Sequence, residues 1–270
     1  MDEFLGVCDC YIFTPYIYPV DWPEDYAPRQ CISLWLIIWF SVFLLYFFTA
    51  TFSYFFVFDH QLKKHPLYIK KQISLEIKYT SWTSPLASAL MAPLFLAECR
   101  GYTKLYNSID ERGWPFVIFS IISFMMFTDC LIYWIHRGLH HRSVYKAIHK
   151  AHHSWKIVTP FSSHAMNPVD AWLQSVPYHI YPFIFPLNKY LHIALLMLVN
   201  FWAISVHDGN FKVPDILKPI INGSAHHTDH HMFFNYNYGQ YFTFWDRVGG
   251  SFRVPSAFEG KSPLDELKKK

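Results

Sequence analysis

Hydrophobic residues in this chain run in long uncharged blocks, not in the three-and-four spacing of a helix with one wet face. The first block, Cys31 to Phe58, carries no charge before Asp59 and is long enough to cross about 30 Å of hydrocarbon as a helix. The second, Tyr79 to Ala97, is also uncharged, and Pro85 and Pro93 are predicted to kink it. The third, Pro115 to Ile135, carries only Asp129. Two shorter blocks, Ala171 to Leu187 and Tyr190 to Val206, flank Asn188 and Lys189, and the first contains Pro177, Pro182 and Pro186. They predict a hairpin whose first arm is short enough to be re-entrant. The pattern therefore predicts an all-α integral membrane protein with about four transmembrane helices. With no internal repeat or low-complexity linker, residues 1–270 read as one membrane-embedded domain. It would comprise a terminal segment over 1–30, three spans over 31–135, and a histidine-rich region over 136–270 containing the 171–206 hairpin.

Composition agrees with the blocks. The chain is 52% hydrophobic, 20% aromatic and 16% charged, against roughly 25% charged in a soluble globular protein. A net charge of +3, not gathered into a stripe, argues against nucleic-acid binding. Five irregularly spaced cysteines imply no disulfide framework, and Cys8-Asp-Cys10 has no further cysteine nearby to complete a metal site. No basic stretch followed by a short apolar core opens the chain, so no cleavable signal is expected and the first span would direct insertion.

Loop charges orient the spans. Residues 60–78 hold Lys63, Lys64, Lys70, Lys71 and Lys78 against Glu76 alone, whereas residues 1–30 hold six acids and only Arg29. Basic residues return after the third span as Arg137, Arg142, Lys146, Lys150 and Lys156. Positive residues favour the cytosol, so the N-terminus is expected to be lumenal and the 60–78 loop cytosolic. A cytosolic helical cap then carries all the histidine clusters on one membrane face.

Those clusters carry the chemistry. They are His136-Arg-Gly-Leu-His140, His149-Lys-Ala-His152-His153 and His227-Thr-Asp-His230-His231. Positions three and four apart share a helix face, so each cluster is expected on a helix, presenting two or three imidazoles together. Eight nitrogens exceed what one tetrahedral ion uses, which points to two metal ions. His207, in Val206-His207-Asp208-Gly209 at the end of the last apolar block, is a further candidate ligand. His164, His226 and Asn167 are candidates for extra ligands or supporting positions, and His141 adjoins the first cluster on another face. His60, His65, His179 and His192 read as bystanders. Asp129 lies at i, i+4, i+7, i+11 with Tyr133, His136 and His140. A carboxylate on that face is expected to accept the second N–H of a ligand histidine. Beyond metal ligands, no catalytic side chain stands out. None of the clusters contains a glutamate, as a His-Glu-x-x-His zinc hydrolase would. Two redox metals beside an apolar interior suggest activation of O2 against a lipid C–H bond.

The boxes, with Trp134-Ile-His136-Arg-Gly-Leu-His140 and Asn222-Gly-Ser-Ala-His-His-Thr-Asp-His-His231, resemble the fatty acid hydroxylase/sterol desaturase superfamily. Within it, the chain is similar to the sterol carbon-5 desaturases through Tyr178-His-Ile-Tyr-Pro-Phe-Ile-Phe-Pro186, Asp208-Gly209 and Tyr238-Gly-Gln-Tyr-Phe-Thr-Phe-Trp-Asp-Arg247. Phe13-Thr-Pro-Tyr16 and Trp22-Pro-Glu-Asp25 add to the likeness. The resemblance implies a multi-pass enzyme of the endoplasmic reticulum membrane with its active site facing the cytosol. It would put the 5,6 double bond into a Δ7-sterol, lathosterol giving 7-dehydrocholesterol, in cholesterol biosynthesis. It also implies a non-haem di-iron site, O2 as cosubstrate, and electrons from NAD(P)H through cytochrome b5 and its reductase. The family's three boxes carry over to His136 and His140; to His149, His152 and His153; and to His227, His230 and His231. His207 matches a further histidine position of relatives. One departure is Asn167-Pro168, where relatives usually have His-Pro; were that position a ligand, His164 would have to substitute or activity would suffer. The Lys268-Lys-Lys270 terminus does not fit a dilysine retrieval pattern. Alternative functions are a sterol or fatty-acyl hydroxylase or 4-methyl oxidase of the same superfamily, and a non-catalytic membrane metal-binding protein.

Overall fold

The uncharged blocks fold as helices. The computed structural model describes residues 1–268; Lys269 and Lys270 of the terminal lysine run lie outside the described residues. Five long helices make the body: α1 (Ala27–Phe56), α2 (Gln72–Cys99), α3 (Gly113–Leu139), α4 (Pro168–Ile184) and α5 (Lys189–Ser205). A sixth, α6 (Ser224–Phe233), belongs to the histidine region. Helix starts follow local chemistry. Pro28 sits in the first turn of α1, where its missing N–H is no loss. Asn167 and Asn188 cap α4 and α5 by accepting from backbone N–H groups of Val169 and of Tyr190 and Leu191. α2 runs through Pro85 and Pro93 as one helix.

Two helices are long and apolar enough to cross a membrane, α1 and α3, and α5 is apolar but shorter. At 30 and 27 residues they extend about 45 and 40 Å. Their outer faces are bare hydrocarbon: Phe48 and Phe56 on α1 are 77% and 75% exposed, and Ile118, Phe119 and Ile122 on α3 are also exposed. Apolar area of this kind is stable against lipid, not water. The fold is that of a mostly helical membrane protein.

The helices alternate in direction. Arg100, just past α2, hydrogen-bonds Gln30 and the Asp25 carbonyl near the start of α1, so α1 and α2 are antiparallel. At that same end Lys189 reaches Asp2 and Glu3, and β1 (Leu105–Tyr106) pairs in parallel with β2 (Leu187–Asn188). The tip of the α4–α5 hairpin therefore lies beside the N-terminal segment, where Asp9 pairs with buried Arg29. At the other end Phe58, Leu62 and Ile157 form a small core with Met232 and Leu264. The 57–68 loop, the histidine region and the C-terminal helix meet there.

One expectation about local structure is corrected. The second cluster does not sit on a regular helix: residues 141–151 form consecutive tight turns, followed by a 3-10 turn over His152–Ser154. Individual bonds such as His149 N–H to the Tyr145 carbonyl (3.0 Å) and His153 N–H to the His149 carbonyl (3.4 Å) still give helix-like spacing. The side-chain directions survive without the helix.

Candidate metal centre

Nine histidines from four segments converge at the end of the bundle. His136 lies in the last turn of α3 and His140 just past it. His149, His152 and His153 come from the turn segment, His207 from the residues after α5, and His227, His230 and His231 from α6. They sort into two groups, each with ring nitrogens within 4.8 Å of one another: His136, His140, His149, His153 and His230 in one, His152, His207, His227 and His231 in the other. Each triple box is split. Its i, i+4 pair serves one group, and the i+3 residue, rotated off that face, serves the other.

Tautomers are fixed from outside. The Nδ1 of His136, His207, His230 and His231 faces the carbonyls of Tyr238 (2.9 Å), Ala203 (2.7 Å), Tyr236 (2.7 Å) and Trp155 (3.0 Å). His149 Nδ1 faces Asp170 Oδ2 at 2.7 Å. Carbonyl and carboxylate oxygens only accept, so these five Nδ1 atoms must donate, and each Nε2 keeps a bare lone pair. The Nε2 atoms point inward at one another: His153 to His140 and His149 (3.1 Å each), and His227 to His207 (2.9 Å) and His231 (3.1 Å). His136 Nε2 and His230 Nε2 are buried with no partner among the described residues. Converging, unshared lone pairs repel in a buried site, and a cation removes the conflict. The residues therefore fit metal ions, and a nitrogen-only donor set suits iron, copper, zinc or nickel.

The charge state agrees. Burial, followed by the proximity of like-charged neighbours, pushes His140, His152, His153, His227, His230 and His231 below the usual histidine range. All are neutral at pH 7, as ligation requires.

Five other residues named from the sequence stand elsewhere. Asp129 does not meet a histidine: its Oδ1 accepts from the backbone N–H of Tyr241 (2.7 Å) and Phe242 (3.3 Å). The 238–242 loop folds over that face of α3 and takes the carboxylate first, so Asp129 supports the loop whose Tyr238 carbonyl orients His136. Asn167 spends its side chain capping α4 (2.9 Å to Val169 N) and lies in neither group. His164 is outside both groups as well, bonded to Ser163 and Asn200. His226 points off the α6 ligand face and packs on Phe258. His141 is exposed and bonds Ser143.

The chain matches the fatty acid hydroxylase family model over residues 121–251, which takes in all nine histidines. It is 60% identical to lathosterol oxidase of Mus musculus over 270 residues, covering 99% of this chain and 90% of that one. It is 61% identical to lathosterol oxidase of Homo sapiens over 272 residues, with the same coverage. A Delta(7)-sterol 5(6)-desaturase of Aspergillus fumigatus is 48% identical over 258 residues, covering 94% of this chain and 72% of its own length. The chain belongs to the lathosterol oxidase family. No solved structure matches it.

Members of the lathosterol oxidase family are oxidoreductases, and this member has a cavity at its metal centre. About 260 Å³ of space opens from His136, His152, His207 and His227 and runs between helices α1, α2, α4 and α5 to Phe95 and His179. Its walls are mostly apolar, with Ile38, Val42, Met91 and Leu196 among them. His179, a bystander by its place in the sequence, lines the far end of this cavity.

Two functional carboxylates of this lathosterol oxidase family member escaped the sequence reading. Asp170 is fully buried, in the first turn of α4, and is held by Gln174 (2.7 Å) while it accepts from His149. The available signal was a charged residue opening an otherwise uncharged block. Asp246 accepts from Tyr238 N, Gly239 N and Ser251 Oγ at 2.8 Å each, fixing the loop that orients His136. Gly239 is required there, because a Cβ would lie 2.5 Å from the Phe242 carbonyl oxygen and 2.9 Å from Asn222 Nδ2. Replacing Asp170 with asparagine keeps an acceptor for His149 but removes the charge that raises its basicity. Metal affinity should fall roughly 10- to 100-fold, measured by competition with a chelator, with the thermal midpoint of the metal-free protein nearly unchanged.

Proposed function

We propose that this protein is a sterol carbon-5 desaturase that introduces the 5,6 double bond into a Δ7-sterol, lathosterol giving 7-dehydrocholesterol. One observation carries the reading: two all-histidine groups stand at one end of an apolar cavity that runs between α1, α2, α4 and α5, in a chain about 60% identical to lathosterol oxidases over nearly its whole length. Two iron ions, one in each group, would supply the activation of O2 and the removal of hydrogen from an unactivated C–H bond that side chains cannot perform.

The protein's own residues do the rest. Orienting acceptors at Nδ1 hold five of the nine imidazoles with Nε2 free to bind metal. The apolar walls select a hydrocarbon-rich substrate and exclude water. His136, His152, His207 and His227 line the cavity end, so the sterol carbons to be desaturated would lie against them. Desaturation in place of hydroxylation requires a substrate held rigidly enough for the second hydrogen to leave before oxygen transfer, which is a matter of positioning.

Location and partners complete the proposal: an endoplasmic reticulum membrane, a centre facing the cytosol, and electrons from NAD(P)H through cytochrome b5 and its reductase. Support comes from the two ends of the bundle. The lysine-rich 60–78 loop shares an end with the histidines through the Leu62 and Ile157 contact. The acidic N-terminal residues share the other end with the hairpin tip through Lys189. This arrangement supports five crossings, α1, α2, α3 and both arms of the α4–α5 hairpin, one more than the expected four, with the hairpin traversing the bundle instead of turning back halfway. An acidic electron donor would be drawn to the basic face.

Sterol profiling of cells lacking lathosterol oxidase, complemented with this chain, tests the function. The 5,7-diene should reappear, and Asn167→His should add nothing, because Asn167 is a helix cap. A hydroxylated sterol without the diene would favour the hydroxylase alternative. Unchanged sterols with one metal ion or none per chain would favour a non-catalytic metal-binding protein.

A further inference from the structure

A half-buried amide in the cavity wall carries one more inference, which rests on the sterol reading above. Among the residues of α5 between Tyr190 and Ser205, Asn200 is the sole side-chain amide, in a helix otherwise apolar along that wall. A polar group at such a position is costly unless it has a task. Asn200, Ala203 and His207 share a face at i, i+3 and i+7 and all three line the cavity. Asn200 therefore stands about 10 Å along the axis from a histidine of the metal centre.

Its orientation is set by neighbours. Asn200 Nδ2 donates to the Leu196 carbonyl at 2.8 Å, so Oδ1 is the atom that faces His164 Nε2 at 3.1 Å. His164 must then donate from Nε2, and its Nδ1 faces the Ser163 hydroxyl at 2.9 Å, whose one proton is shared with the Pro160 carbonyl at 2.8 Å. The amide is left with one N–H and one oxygen lone pair uncommitted among the described residues. That pairing of one donor and one acceptor is what a single hydroxyl group requires.

A Δ7-sterol brings such a group to this end. Its 3β-hydroxyl oxygen is only three bonds from carbon 5 and four from carbon 6. If those carbons lie against the histidines, the hydroxyl is buried in the same part of the cavity, where a missing partner would be costly. Several other polar side chains near the centre are committed: Asn222 to Gly239 and Asp246, Gln174 Nε2 to Asp170, and Ser163 to Pro160 and His164. Gln240 also lines the cavity, but no hydrogen bond among the described residues fixes its side-chain amide, as His164 and the Leu196 carbonyl fix that of Asn200. We propose that Asn200, held in orientation by His164, hydrogen-bonds the 3β-hydroxyl and so sets carbons 5 and 6 at the metal centre. Asn200 is the specificity-determining contact; His164 is a positioning residue that does not touch the sterol.

Equilibrium binding to the purified full chain tests this with two ligands, lathosterol and its 3-deoxy analogue. The unaltered protein should prefer the alcohol by about 10-fold, the size of one net hydrogen bond. Asn200→Leu should abolish the preference while leaving affinity for the 3-deoxy compound within about twofold, since only the hydrogen bond has gone. His164→Ala should reduce the preference in part, and His164→Gln should restore it. If Asn200→Leu proves unstable by thermal unfolding, Asn200→Ala gives the same comparison, since it also lacks a hydrogen-bonding side chain. Equal weakening of both ligands would overturn the proposal, leaving Asn200 a packing residue. So would loss of the preference in Ser84→Ala, because Ser84 lines another part of the cavity with its hydroxyl unpartnered among the described residues. Formation of the 5,7-diene by the unaltered protein is scored separately. Its absence, with the binding preference intact, would count against the desaturase reading alone.

Discussion

His227→Ala should empty the four-histidine group, whereas His140→Ala should leave the five-histidine group able to hold metal. His227 Nε2 faces both His207 and His231, so its loss leaves His152, His207 and His231, below the four donors of a closed site. His140 is the half-buried member of its group, and four histidines remain without it. With one iron ion held in each group, as proposed, iron measured on purified protein should fall from about two ions per chain to about one in His227→Ala, since only one group is lost. Sterol turnover should fall more than about 100-fold, beyond the range seen for outer-sphere changes. His140→Ala should keep both ions at saturating iron, with affinity weakened by roughly 10-fold. Equal iron loss in the two variants would contradict the division into two groups.

The second large effect is on stability. Asp246→Ala removes the acceptor of three buried donors, the N–H groups of Tyr238 and Gly239 and the Ser251 hydroxyl. Hydrogen bonds to a charged group contribute about 1.5–3 kcal/mol each, but losses in one network are not additive. The expected cost is about 3 kcal/mol or more. In a chain of this size that lowers the melting temperature by roughly 6–12 °C. The loop also carries the Tyr238 carbonyl, so His136 loses its orientation and metal affinity should fall in parallel. Asp246→Asn retains acceptor capacity at one oxygen and should lie between the two. A melting temperature within about 2 °C of the unaltered protein, on the same scale, would mean that Ser251 and Asn222 hold the loop unaided.

Much of this architecture was legible before any coordinates. Uncharged length alone marked α1 and α3, because hydrocarbon tolerates no charge and a helix rises a fixed distance per residue. The boxes marked the histidines, and the depth of Val206-His207 at the end of a hydrophobic block marked His207, which the structure brings beside His227. Spacing could not reveal that each triple box divides between two groups, because face-sharing within one element says nothing about which other element arrives opposite. The same limit explains Asp129. Its helix face was read correctly, but its partners come from backbone more than 100 residues later. Asp170 stayed hidden for the converse reason: its histidine lies on another segment, and neither residue's neighbours announce the pairing. The second box gave correct side-chain directions from an incorrect secondary structure, since tight turns repeat the bonding of a helix over a few residues.

The identity of the orienting acceptors has a consequence for inherited variation. His136, His207, His230 and His231 are each held by a main-chain oxygen, at Tyr238, Ala203, Tyr236 and Trp155. A missense change at any of those four partners alters a side chain and leaves the acceptor in place. Only for His149 is the acceptor itself a side chain, on Asp170. Single-codon damage to ligand orientation should therefore concentrate at Asp170 and at Asp129 and Asp246, which fix the path of the loop, while the aromatic residues that supply the carbonyls accept a wider range of replacements.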